Sequence, residues 1–205
     1  MTIGSIMAMA PVIPVLVLDG AHDPAELAST LVASGLLVIE VTLRTPGALA
    51  AIEAMSAVPG AVVGAGTVLN AGQMKDAIAA GARFIVSPGL TEPLAKAAMA
   101  ANVPFLPGVA SAGDIMRGLD LGLDRFKFFP AVAAGGIPAL KALSGPFAGL
   151  QFCPTGGITA VTAPNWLALD SVACVGGSWI VPKGATLTQI SDLARQAATL
   201  STPTK

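Results

Sequence analysis

A lysine set among three phenylalanines, in Asp124-Arg125-Phe126-Lys127-Phe128-Phe129-Pro130, has the clearest chemical potential in this chain. Strand formers place alternate residues on opposite faces, so Lys127 shares a face with Arg125 and Phe129, while Phe126 and Phe128 point the other way. Desolvation by apolar walls lowers a lysine pKa, and a neutral amine is a nucleophile. The competing reading is an edge-strand lysine whose stem lies along its neighbours and whose ammonium reaches water. A second charged run bears on the choice. In Leu36-Leu37-Val38-Ile39-Glu40-Val41-Thr42-Leu43-Arg44, parity puts Val38, Glu40, Thr42 and Arg44 on one face and Leu37, Ile39, Val41 and Leu43 on the other. The apolar face must meet helices, so Glu40 and Arg44 project inward, where a carboxylate is costly unless paired or functional. A structural Glu40–Arg44 pair is the plain alternative. The second isolated charge aimed at the same interior, Lys127, favours the functional reading.

Other polar or small residues end apolar runs. Gly64-Ala65-Gly66 leaves space around the Thr67 hydroxyl. Ser87-Pro88-Gly89 ends the fourth run and Leu106-Pro107-Gly108 the fifth; both are compatible with strand-to-helix turn chemistry, which is the favoured reading for the fifth. Cys153-Pro154-Thr155-Gly156-Gly157 and Gly176-Gly177-Ser178-Trp179 bring paired glycines, whose bare backbone N–H groups can hold a phosphate or carboxylate tail. The inventory is an amine, a carboxylate, a guanidinium, two threonine hydroxyls and an anion cradle. It suits Schiff-base chemistry on a 2-oxo acid. Lys127 would attack the ketone, Arg44 would clamp the carboxylate with its planar fork, and Glu40 would shuttle protons. His22, the one histidine of the chain, lies far in sequence from these groups, which by themselves make neither a Ser-His-Asp set nor a metal cluster.

The elements that must position these groups are legible as spacing. Apolar segments recur at Ile13-Leu18, Leu36-Leu43, Ala61-Val68, Phe84-Gly89, Val103-Val109, Arg125-Ala131, Leu150-Ile158 and Val172-Trp179. Helix-compatible stretches with start signals lie between them: Asp23-Pro24 before Ala25-Ser34, Thr45-Pro46 before Gly47-Ala57, Asn70 before Ala71-Ala80, and Thr91-Glu92-Pro93 before Leu94-Ala101. Gly35, Gly81 and Gly122 sit where helices should stop, and a last helix is expected over about 187–200. Eight strands alternating with helices predict a single-domain α/β chain, a (β/α)8 TIM barrel over 1–205. A short lead at about 1–10 and a polar tail at about 201–205 flank it. An open doubly wound sheet, with fewer strands and one Gly-rich fingerprint, fits less well.

Composition excludes several classes. The chain is 54% hydrophobic and only 11% charged, which invites a membrane reading, but Pro and Gly break every apolar run before a spanning helix accumulates. Strands buried on both faces, and surface covered by other subunits, account for it better. A net charge of -1, no basic run and no tyrosine give no footprint for nucleic acid. The N-terminus lacks the positive n-region of a secretory signal. Cys153 and Cys174 lie in separate apolar runs without metal-ligand spacing, as buried reduced cysteines of a cytoplasmic protein would. His22, beside Asp23-Pro24, reads as a loop or helix-start residue.

Glu40-Val41-Thr42-Leu43-Arg44-Thr45, Gly64-Ala65-Gly66-Thr67-Val68, Ser87-Pro88-Gly89, Phe126-Lys127-Phe128-Phe129-Pro130-Ala131 and the two glycine-pair segments follow one pattern. Over nearly its whole length the chain resembles the bacterial 2-keto-3-deoxy-6-phosphogluconate aldolases, often also 4-hydroxy-2-oxoglutarate aldolases. The resemblance implies a class I aldolase of the Entner–Doudoroff pathway, cleaving 2-dehydro-3-deoxy-6-phosphogluconate to pyruvate and glyceraldehyde 3-phosphate. It implies Lys127 as the Schiff-base lysine and Glu40 as the acid/base. Arg44, Thr67, Pro88 and Phe129 would form the pyruvate pocket. Thr155 would face the substrate, while Gly156, Gly157, Gly176, Gly177 and Ser178 would hold its phosphate. It further implies a homotrimer that needs no metal, and no cofactor is expected. The chain departs from the pattern at Val132-Ala133-Ala134, where a glutamate and another polar residue are usual, and at Gln151, where a basic residue is common. A sister aldolase for the galactonate epimer or for unphosphorylated 4-hydroxy-2-oxoglutarate, a phosphate-binding barrel isomerase using Glu40 as base, and a barrel kept as an assembly scaffold are the competing readings.

Overall fold

The computed structural model describes residues 1–200, so the polar tail expected at 201–205 lies outside the described residues. In chain order the elements are α1 (Ile3–Met7), β1 (Val12–Leu16), α2 (Pro24–Ala33), β2 (Val38–Thr42), α3 (Ala48–Ser56), β3 (Val62–Gly66), α4 (Ala71–Ala79), β4 (Phe84–Val86), α5 (Glu92–Ala100), β5 (Phe105–Leu106), β6 (Gly108–Val109), α6 (Ala112–Asp120), β7 (Arg125–Phe128), α7 (Gly136–Ser144), β8 (Gln151–Pro154), α8 (Ala163–Leu167), β9 (Val175–Gly177) and α9 (Leu187–Ala198). Strand and helix alternate as the spacing predicts. Two of the four start signals cap their helices: Asp23 accepts the Glu26 N–H at 2.9 Å, and Asn70 accepts the Gln73 N–H at 3.0 Å, whereas α3 starts from Gly47 and α5 from Thr91 with no side-chain capping bond. Those contacts satisfy N–H groups that a helix start leaves without a partner. Gly35 and Gly81, at φ of 93° and 98°, follow α2 and α4 in the left-handed conformation that glycine adopts without strain.

The strands are parallel and form an α/β fold on a curled sheet. They do not hydrogen-bond into one continuous eight-stranded sheet. A six-stranded sheet runs β5-β4-β3-β2-β1-β9, and a three-stranded one runs β6-β7-β8. The expected fifth strand, Val103-Val109, is the reason for the first break. Pro107 has no N–H to donate, and it divides the run into the two-residue strands β5 and β6. Between β8 and β9 the pairing is reduced to the bridges Phe152–Val172 and Thr155–Gly176.

Two apolar layers result. Alternate strand residues such as Ile39, Val41, Phe126 and Phe128 pack outward against the helices. Their neighbours Ile13, Val38, Val62, Val86 and Cys153 point inward and meet Phe84, Leu106 and Cys174. The lead contributes Ile6 and Met7 of α1 to this inner cluster, so α1 closes the end of the sheet where the strands begin. No helix among the described residues is long and apolar enough to cross a membrane.

Candidate active site

Lys127 and Glu40 meet at the end of the inner face where the strands finish. Lys127 lies on β7 and Glu40 on β2, 87 positions apart, yet Lys127 Nζ donates to Glu40 Oε1 at 3.0 Å. Their side chains are 7% and 4% exposed. Neither charge reaches bulk water, so the bond between them is what makes the burial tolerable. The edge-lysine reading and the Glu40–Arg44 pair both give way to this contact. Phe129 stands beside it, with the Lys127 Nζ 5.3 Å from the ring centroid. Thr42, on the same strand as Glu40, donates its hydroxyl to the Leu16 carbonyl at 2.8 Å and so ties β2 to β1.

The glycines around the pair are there for space. A Cβ on Gly66 would lie 2.2 Å from Glu40 Oε1, so only glycine at this position lets the carboxylate occupy its place. A Cβ on Gly176 would lie 2.2 Å from the buried Thr155 Oγ1, and one on Gly156 would lie 3.5 Å from the Phe129 ring. Gly156 and Gly157 adopt φ of 104° and 80°, the left-handed region in which a backbone can turn its N–H groups outward. Gly177 makes room for the Trp179 ring.

The remaining predicted residues form a ring of differing exposure. Thr67 follows β3 with φ of 57°, a conformation that holds a β-branched residue at a cost of roughly 1–3 kcal/mol and is typical of functional positions. Pro88 is half-buried, and its carbonyl packs so tightly on Gly108 that a Cβ there would come within 2.1 Å. Ser178 is exposed just beyond β9. Arg44 differs from expectation in degree. It lies past Thr42, the last residue of β2, and is exposed, with no ion pair among the described residues. The structure thus brings Lys127, Glu40, Phe129 and Gly66 together, and Thr155 with Gly176, and leaves Arg44 and Ser178 at the rim.

A buried amine bonded to a carboxylate, beside an apolar ring and glycine-lined space, is equipped to form an imine and to move protons next to it. A family model described as KDPG and KHG aldolase matches residues 3–197. The chain belongs to this family. It is 57% identical over 197 residues to the 2-dehydro-3-deoxy-phosphogluconate aldolase of Zymomonas mobilis, covering 96% of this chain and 95% of that protein. It is 50% identical to the KHG/KDPG aldolase of Escherichia coli K12, covering 94% and 93%. A KDPG aldolase from Legionella pneumophila, solved with pyruvate captured at low pH as a covalent carbinolamine intermediate, superposes with a TM-score of 0.93. That structure is 48% identical and covers 97% of this chain and 99% of its own.

Within this family frame, one pairing is invisible to sequence reasoning. Cys153 and Cys174 sit in separate apolar runs, but β8 and the approach to β9 bring them together in the inner cluster, with Cys153 paired in register with Lys127. A hydrogen bond with Cys153, reinforced by complete burial and by the neighbouring Glu40 charge, pushes the Cys174 thiol well above its ordinary range. A neutral thiol is the form that suits an apolar layer. The one sequence signal for the pairing is the position of each cysteine shortly before a glycine pair.

Proposed function

We propose that this chain is a class I aldolase that cleaves 2-dehydro-3-deoxy-6-phospho-D-gluconate to pyruvate and D-glyceraldehyde 3-phosphate, and also acts on 4-hydroxy-2-oxoglutarate. The observation that carries the reading is the buried 3.0 Å contact of Lys127 Nζ with Glu40 Oε1, in a family whose Legionella member has been captured with covalently bound pyruvate. Lys127, its proton passed to Glu40, adds to the C2 ketone to give a carbinolamine. Glu40 returns that proton to the carbinolamine hydroxyl, and loss of water leaves the iminium and the Glu40 carboxylate. Glu40 then takes the proton of the C4 hydroxyl, the C3–C4 bond breaks, and its electron pair moves into the iminium to give an enamine. The aldehyde departs, C3 is protonated, and water releases pyruvate and the free amine.

In this reading Arg44 folds over the substrate carboxylate, and Thr67, Pro88 and Phe129 shape the pyruvate pocket. Thr155 faces the cleaved carbons, and the N–H groups of Gly156, Gly157, Gly176 and Gly177 with the Ser178 hydroxyl hold the phosphate. In this reading the chain is one domain and an eight-stranded barrel, supported by the interruption of one strand at Pro107 into β5 and β6 and by the bridges between β8 and β9. We place the protein in the cytoplasm as a homotrimer, in keeping with its low charge and exposed apolar residues such as Leu69, Met116 and Val161.

The test is trapping. Incubation with pyruvate and borohydride should add one reduced pyruvate to the intact mass, and peptide masses should put it on Lys127. Glu40→Gln should retain the fold while slowing proton exchange of pyruvate by about 100-fold or more. No adduct, or an adduct that persists in Lys127→Ala, overturns the Schiff-base reading.

A further inference from the structure

A cavity of about 300 Å³ opens beside the site between the segments that follow β1 and β9. Its walls include Val15, Val17, Asp19, His22, Ser178 and Lys183. Val15 is paired in register with Glu40, so the inner end of the cavity abuts the strand position that carries the site carboxylate. Its outer end reaches Ser178 and Lys183. A substrate with its ketone at Lys127 and its tail directed over Gly176, Gly177 and Ser178 has this cavity in front of it.

The charges along that wall are unequal in availability. The Asp19 carboxylate turns back on its own loop and accepts the Ala21 N–H at 3.1 Å. Lys183 is exposed and has no ion pair among the described residues. It is the one lysine or arginine in the cavity wall. The two other cations of the proposed site are engaged elsewhere in that reading: Lys127 is consumed by the imine and Arg44 by the substrate carboxylate. A phosphate monoester carries nearly two negative charges at neutral pH, which the neutral backbone cradle solvates without balancing.

We propose that Lys183 is a specificity-determining residue, its ammonium supplying the charge that favours phosphorylated over unphosphorylated 2-oxo acids in this enzyme. This rests on the aldolase reading above. An exposed ammonium acts modestly and through charge alone, so its signature is selective, salt-sensitive and indifferent to the chemical step. It positions the tail and touches none of the reacting atoms.

Steady-state kinetics of Lys183→Met and Lys183→Arg, against the phosphorylated substrate and 2-dehydro-3-deoxygluconate, which has the same carbon chain without phosphate, test this. For Lys183→Met, KM for the phosphorylated substrate should rise about three- to ten-fold with little change in kcat, and about 1 M salt should erase most of that difference. Kinetics on the unphosphorylated acid should stay at wild-type values, and Lys183→Arg should behave as wild type on both. An equal change on both substrates, or none on the phosphorylated one, overturns the assignment of Lys183 while leaving the aldolase reading standing. A wild-type protein that cleaves neither acid and forms no pyruvate adduct overturns that reading and the inference with it.

Discussion

The inner face of the sheet is made of two layers that differ by a single step of the strand repeat. Val38 lies in one layer and Glu40, two residues on, in the other; Cys153 and Thr155 stand in the same relation on and just beyond β8. The layer nearer the strand starts is apolar and filled by large groups, with Phe84 fully buried and Ile6 and Met7 delivered by α1. The layer nearer the strand ends holds the buried Lys127, Glu40 and Thr155, with glycine at 66 and 176 where a side chain would collide with them. The first layer uses shape to exclude space, and the second uses the lack of side chains to keep space around charges. Stability and chemistry are therefore separated along the same strands, and substitutions in the two layers should fail in different ways.

The largest effect should come from breaking the ion pair. Lys127→Met leaves the Glu40 carboxylate buried without its cation, and removing one partner of such a pair typically costs about 3–5 kcal/mol. Denaturant titration should register that loss, and cleavage activity should vanish. Replacing Glu40 by Met as well should recover much of the stability without any recovery of turnover, because well-packed apolar substitutes for a buried pair are often neutral or stabilising. A double variant no more stable than the single one would mean that the pair contributes to the fold and not only to the chemistry.

Gly64 and Gly66 allow a finer comparison, since both belong to β3 and share one face. A Cβ at Gly64 would come within 2.3 Å of the Phe84 ring, whereas one at Gly66 would come within 2.2 Å of Glu40 Oε1. Each alanine variant should lose roughly 1–3 kcal/mol through overpacking. Only Gly66→Ala should also lose most of its kcat, because it displaces the carboxylate. Thermal melts and steady-state rates on the pair decide the matter, and similar kcat losses in both would erase the distinction between the layers.

How far the sequence reveals this arrangement depends on the range of the interaction involved. Strand parity is a local property, so the inward direction of Glu40 and Lys127 and the outward direction of Phe126 and Phe128 are legible from period-two alternation alone. Their contact is not, because it joins β2 to β7 across the curl of the sheet, and no local pattern encodes that distance. For the same reason Arg44, on the right face by parity, gives no local sign that it lies beyond the end of its strand and stays exposed. Pro107 is visible as a turn residue, yet its effect on the sheet depends on which neighbours would have accepted the N–H it lacks. The glycines at 64 and 66 are readable as small, but what they make room for needs Phe84 and Glu40 to be in place. Motif resemblance supplied the set of site residues where geometry could not be inferred.

A second carboxylate–cation pair, at the rim, provides the control for the buried one. Asp114 opens α6, accepts the Ala110 and Ser111 N–H groups at 3.0 Å each and the Ser111 hydroxyl at 2.8 Å, and is bridged by Arg117. Partial burial works against its charge, but the Ala110 and Ser111 bonds and the Arg117 guanidinium prevail and hold the carboxyl below its ordinary value. A carboxyl whose folded value is depressed adds stability above the unfolded value, about pH 3.9, and that contribution is lost as pH falls through the folded value. Asp114→Asn should therefore lower stability by about 1 kcal/mol at neutral pH, on the scale of a helix cap. The gap between wild type and variant should close as pH drops below about 4, and kcat should be unaffected at neutral pH. Unfolding midpoints across a pH series measure this. A gap that stays constant into acid would show that the amide costs stability through lost geometry and not lost charge. The rim pair would then resemble Glu40–Lys127 in form alone, since its charge would matter neither to the fold nor to the chemistry.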